Sequence, residues 1–101
     1  MTSWDLYEIT HSTQALHGVK FRGRLRLFGL RNNTDLLCEN ATDKENCVRF
    51  AVHAGTNTNS IVDMIQKAAS GSDVKIVMND VSNPVLSKII VNKHERYEHE
   101  F

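Results

Sequence analysis

The sequence predicts a mainly β domain, a five-stranded Greek-key barrel with one helix between the third and fourth strands. Three observations predict it. Residues 19–28, "VKFRGRLRLF", alternate apolar and basic positions around a central glycine. Two further runs alternate with period two, "CVRFAVHA" at 47–54 and "DVKIVMND" at 73–80. The clearest helical stripe in the chain lies between those two runs, over residues 60–71.

The first expected strand, 19–28, points Val19, Phe21, Leu25 and Leu27 inward and Lys20, Arg22, Arg24 and Arg26 outward. Gly23 falls at an inward position. A missing side chain there allows the sharp bend that a strand shared by both sides of a curled barrel needs. "GLRNNTD" is a turn, rich in Gly and Asn. A weaker second strand, about "DLLCENA", leads to a second turn, "TDKEN". The third strand places Val48, Phe50, Val52 and Ala54 on one face and Arg49, Ala51 and His53 on the other.

In the helix, Ser60 is the expected cap, and Asp63 puts an acid at the positive helix end. Ile61, Ile65, Ala68 and Ala69 form its apolar stripe, Lys67 lies in the last turns, and Gly71 is the expected C-terminal cap. Val74, Ile76 and Met78 alternate in the fourth strand. "VSNP", with the only proline, Pro84, breaks the chain before a last strand of about "LSKIIVNKHERY". Three strands, a helix and two strands is the order of the OB-fold. Its competitor is the ferredoxin-like α+β sandwich. That fold needs a helix between the first two strands, and "RNNTDLLCENATDKEN" offers only a short, polar, weakly periodic one. Residues 1–101 form one domain, with 1–14 an N-terminal extension and 95–101 a frayed tail.

The charge balances to zero, with 12 Lys and Arg against 12 Asp and Glu, yet it is segregated. Residues 20–31 hold five cations and no anion, and residues 1–19 hold Asp5 and Glu8 with no Lys or Arg. Local fields of this kind steer ligands even when the total is zero. No apolar run is long enough for a membrane span, and the N-terminus lacks the basic start and apolar core of a signal peptide. An intracellular protein is therefore expected. The two N-x-T matches, at Asn32 and Asn40, are then chance hits. Cys38 and Cys47 are expected as free thiols, although they could face each other across a hairpin.

No glycine-rich phosphate loop, GxSxG or HExxH is present, and the five histidines match no zinc signature. No base is identifiable for either cysteine, and no carboxylate pair stands out as acid and base. These absences predict a protein that is not an enzyme, with no cofactor and no metal; a small ferredoxin-like enzyme is a third, minor reading.

Binding has more to rest on. Single-stranded nucleic acid needs cations along the phosphate path and flat groups on which bases stack. Lys20, Arg22, Arg24 and Arg26 supply the first, with Arg49 and His53 on a related outward face and Lys88, His94 and Arg96 on the last strand. Phe28, and Tyr97 near the chain end, are the candidate stacking surfaces. The expected partner is single-stranded nucleic acid. The alternative is a protein–protein adaptor or inhibitor whose basic face meets an acidic partner. Alternating cations also keep a sheet face wet and discourage edge-to-edge pairing.

Within residues 4–54, a glycine-led turn opens "GVKFRGRLRLF", "G-R-L" lies in its middle, and a "VRFAV" strand follows. This half of the chain resembles the start of small OB subunits of single-strand DNA complexes. The smallest subunit of the telomere-capping CST complex is the nearest, and that of replication protein A less close. The resemblance implies an accessory subunit with modest DNA contact, a larger protein subunit as partner, and a nuclear location; without it, the expectation is cytoplasmic.

Overall fold

The computed structural model describes residues 3–17, 19–82 and 84–87. The chain forms β1 (Trp4–Thr10), α1 (Val19–Arg31), β2 (Leu36–Asn40), β3 (Cys47–His53), α2 (Asn59–Ala68) and β4 (Asp73–Val81). The strands make one antiparallel sheet in the order β2-β3-β1-β4. The domain is β-rich, but the sheet is open with β2 and β4 as its edges, so the expected closed barrel is corrected. The β-α-β-β-α-β element order with this strand order is that of the ferredoxin-like sandwich, the competing expectation. Four strands are present among the described residues. Most of the expected fifth lies outside them, as does the 95–101 tail.

The largest correction is "VKFRGRLRLF", which is the first ten residues of α1 and not a strand. Wound at 100° per residue, Phe21, Leu25 and Phe28 fall at i, i+4 and i+7 on one face. Phe21 and Leu25 are buried and Phe28 packs against the same cluster. Leu27, expected in the core, is 44% exposed. From Lys20 to Arg31 the segment has no β-branched residue and is rich in Leu, Lys and Arg, all good helix formers. The helix ends in paired C-terminal bonds, from Thr34 N–H to Gly29 O at 2.8 Å and from Asn33 N–H to Leu30 O at 3.3 Å. Asn33 takes the left-handed conformation that this ending requires, at φ 52°.

Part of the expected N-terminal extension is β1, a central strand. Its Tyr7 and Ile9 face the helices, and its Leu6 faces the opposite side. A central strand covered on both faces loses clean alternation, because each parity must be apolar. β3 is also covered on both faces, with Cys47 to Val52 all buried, but it keeps its alternation because Arg49, Ala51 and His53 occupy the second face. The main core lies between sheet and helices and gathers Ile9, Leu16, Val48, Phe50 and Val52 with Leu25, Ile61 and Ile65. A second, smaller cluster lies on the other face, where Leu86 packs with Leu6, Ala51 and Val81. In β4, Ile76 is 44% exposed and Val74 and Met78 are only partly buried, against the expectation that all three are core. An edge strand with two register shifts cannot turn one parity steadily inward. In α2 the cap is Thr58 rather than Ser60, without a side-chain cap bond. The C-terminal cap is Ala69 rather than the expected Gly71, which takes φ +88° in the turn just beyond it.

Two glycines test the helical assignment. A Cβ on Gly23 would meet nothing within 4 Å, so Gly23→Ala should stabilise the protein by about 0.5–1 kcal/mol, the helix-interior difference between the two residues. A Cβ on Gly29 would lie 2.9 Å from Thr34 O and 3.2 Å from the Leu36 Cβ. Gly29→Ala should therefore destabilise, by about 1–3 kcal/mol. Urea titration of both variants checks the pair, and a loss of stability in Gly23→Ala would contradict the helix.

Candidate functional site

Helical winding divides the basic strip. Residues four apart on a helix lie only 40° apart, so Arg22 and Arg26 share one flank of α1, while Lys20, Arg24 and Arg31 share the other. The first flank is engaged. Arg26 donates to Cys38 O at 2.9 Å and to Glu39 Oε1 at 3.1 Å, and Arg22 lies 3.7 Å from the other Glu39 oxygen. These bonds tie α1 to the edge strand β2. As exposed or half-exposed pairs they contribute at most about 1 kcal/mol each.

The second flank is different. Lys20, Arg24 and Arg31 are exposed and make no ion pair among the described residues. Arg24, Leu27, Phe28 and Arg31 of α1 face Met64, Lys67 and Ala68 of α2 across a groove of about 290 Å³. Lys67 is exposed and likewise without an ion pair among the described residues. Three cations therefore flank a floor of Leu27, Phe28, Met64 and Ala68, and no carboxylate lines the groove. Phe28 is partly buried against the main core. It also lines the groove, so part of the residue remains at the surface beside Arg24 and Arg31.

Arg49, expected to contact phosphate, is 2% exposed. Its Nε and Nη2 both lie 2.9 Å from Glu8 Oε2, Nη1 pairs with Asp43, and Nη1 also donates to Leu86 O at 3.3 Å. Lys44 Nζ donates to the other Glu8 oxygen at 3.0 Å. β1 and β3 put Glu8 and Arg49 directly opposite each other, and this register closes the pair. Burial pulls the Glu8 carboxyl upward in pKa, but the bonds and charges of Lys44 and Arg49 outweigh it and hold the group below its ordinary value. Arg49 is a clamp: it joins two central strands, the β2–β3 turn and the segment at 84–87 that crosses this face. Thr42 completes the clamp, donating from N–H at 2.6 Å and from Oγ1 at 2.9 Å to Ser87 O. Lys88, Arg96 and Tyr97, named above as contact residues, lie outside the described residues.

Trp4, which the sequence did not single out, lies with His53 at the far end of the same face. Trp4 and His53 stack with centroids 4.3 Å apart, and His53 Nε2 lies 2.8 Å from Asp35 Oδ2. This aromatic pair carries a carboxylate neighbour, and the basic groove lies on the helix side of the sheet. Arg31 and Lys67 were also missed as site residues. Their signal is helical spacing, Arg24 to Arg31 at i, i+7, which is invisible when 19–28 is read as a strand.

Cys38 and Cys47 are free and buried, 3% and 0% exposed. They do not oppose each other: Cys38 pairs with Phe50 and Cys47 with Thr10. Burial pushes both thiols up in pKa, beyond what Arg26 near Cys38 and Arg49 near Cys47 offset. A thiol reagent should find neither in the native protein and two on unfolding without reductant; native labelling faster than global opening would contradict this burial. Among the described residues no group of three His, Cys, Asp or Glu is placed to hold a metal ion. Nor is any helix among them long and apolar enough to cross a membrane. No protein-family model, curated protein or solved structure matches the chain.

Proposed function

We propose that this protein is a non-catalytic binding domain whose basic helical face meets an acidic protein partner. One observation carries the reading: Arg24, Arg31 and Lys67 are exposed beside an apolar floor and make no ion pair among the described residues. A phosphate backbone uses cations alone. A protein partner uses the cations for complementarity and the exposed Leu27 with the partly buried Met64 for burial. Membership of a larger assembly as an accessory subunit accords with such a face.

Single-stranded nucleic acid is the second reading, favoured by the spacing of Lys20, Arg24 and Arg31 along one flank. Its aromatic surface beside those cations is limited to the partly buried Phe28, since Trp4 belongs to the other side of the sheet.

The test is affinity capture with wild type and with Arg24→Glu/Arg31→Glu, each with and without nuclease. The expected result is an acidic partner, retained after nuclease and lost by tenfold or more in the variant. Labelled single-stranded oligonucleotides at two salt concentrations provide the contrast. Binding whose log affinity falls with log salt by about 0.7 per engaged cation, and which the variant abolishes, would favour nucleic acid instead.

A further inference from the structure

We infer that the groove between α1 and α2 takes an acidic amphipathic helix of a partner protein, packed as a third helix against the pair. The inference rests on the acidic-partner reading and specifies the shape of what binds. Its first ground is charge. Arg24, Arg31 and Lys67 line the groove, no carboxylate does, and none of the three makes an ion pair among the described residues. The occupant must therefore bring carboxylates to both rims.

The second ground is the floor. Leu27 is 44% exposed, and Phe28, Met64 and Ala68 are partly buried beside it. An occupant with carboxylates alone would leave this surface wet, whereas an apolar stripe would bury it. Met64 suits such a contact, because an unbranched thioether side chain adapts to what it meets.

The third ground excludes an extended peptide. Strand addition needs a row of outward backbone N–H and C=O groups. Both walls of this groove are α-helices, whose backbone groups are bonded within each helix. A strand laid here would bury its own backbone groups unpaired, whereas a helix arrives with its groups already satisfied. The side chains also fall in helical rows, with Arg24, Phe28 and Arg31 on α1 and Met64, Lys67 and Ala68 on α2. Rows three and four apart form the ridges between which a third helix seats. From Arg24 to Arg31 the rise is about 10 Å, or two helical turns. The partner's stripe should therefore carry apolar residues at i, i+3 or i+4, and i+7, with Asp or Glu flanking them on both sides.

The probe is a synthetic peptide of about 18 residues, long enough for five turns, with Leu in that pattern and Glu on both flanks. A scrambled peptide of identical composition serves as its control. Fluorescence anisotropy measures affinity, and amide chemical shifts of the labelled protein locate the site. The patterned peptide should bind at least tenfold tighter than the scrambled one and shift Arg24, Leu27, Arg31, Met64 and Lys67. Leu27→Asp should weaken it by at least tenfold, while Arg26→Ala, on the other flank of α1, should leave affinity within twofold. Equal binding of the two peptides would overturn the helical occupant and leave the acidic-partner reading standing. Binding of neither would overturn both. Shifts confined to β2, or an oligonucleotide that binds more tightly at these same residues, would also overturn the inference.

Discussion

Replacing Arg49 with Ala is expected to destabilise the protein by about 3–5 kcal/mol, the range for removing one partner of a buried ion pair. Arg49 and Glu8 have side chains 3% and 6% exposed, so neither can turn to water when its partner is gone. The variant leaves Glu8 in the sheet with only Lys44, which is itself 42% exposed. It also removes the bond from Nη1 to Leu86 O. Residues 84–87 should loosen with it, which faster hydrogen exchange at the Thr42 N–H, bonded to Ser87 O, would register. The double variant Glu8→Leu/Arg49→Met removes both charges together and should recover most of the loss, because apolar residues of similar volume often replace such pairs without penalty. Equal instability of the single and double variants would show that the charges are not the cause.

The same pair sets the response to acid. Glu8 is held below its ordinary pKa in the folded state, whereas in the unfolded chain it titrates near 4.3. Its contribution is therefore complete above about pH 4.3 and disappears as pH falls through the lower folded value. Urea midpoints between pH 7 and pH 3 should decline more steeply for wild type than for Glu8→Leu/Arg49→Met.

Phe50→Ala is expected to cost about 3–5 kcal/mol. Phe50 is fully buried at the centre of β3 and lies parallel to Tyr7, with centroids 4.9 Å apart and planes 5° apart. Ile9, Val48, Val52 and Leu25 in the same cluster are each 0% exposed, so removing the ring opens a cavity in a packed core. Leu27→Ala is the comparison. A strand at 19–28 would have made Leu27 core, with a cost of about 2–5 kcal/mol. On the outer flank of α1, at 44% exposure, it should cost about 0.5–1 kcal/mol. Thermal unfolding of the two variants compares both assignments in one experiment.

The elements with strong local signals folded as their residues indicated. β2, β3, α2 and β4 lie close to where alternation and helical spacing placed them. The two cysteines are free. Phe21, Leu25, Val48, Phe50, Val52, Ile61 and Ile65 are buried as the patterns required.

α1 misled because "VKFRGRLRLF" carries two periods at once. Val19, Phe21, Leu25 and Leu27 alternate, while Phe21, Leu25 and Phe28 repeat at helical spacing. Two local facts favoured the helix: the absence of β-branched residues between Lys20 and Arg31, and an Asn pair at the helix stop. β1 was obscured for the opposite reason. In "WDLYEIT" the apolar residues Trp4, Leu6, Tyr7 and Ile9 fall on both parities, so the segment read as an extension. Its place was decided by β3, whose two neighbours are β2 and β1. With both edges of β3 occupied by 4–10 and 36–40, residues 19–28 had no strand position in the centre of the sheet and packed as a helix over it.

The candidate site followed the same division. The sequence alone determined that residues 20–31 concentrate positive charge. Only the tertiary structure decided which cations are available, because pairing depends on partners distant in the chain. Arg26 meets Glu39 across 13 residues, and Arg49 meets Glu8 across 41. Arg24 and Arg31 face α2 instead, where the charged residue that lines the groove is another cation, Lys67.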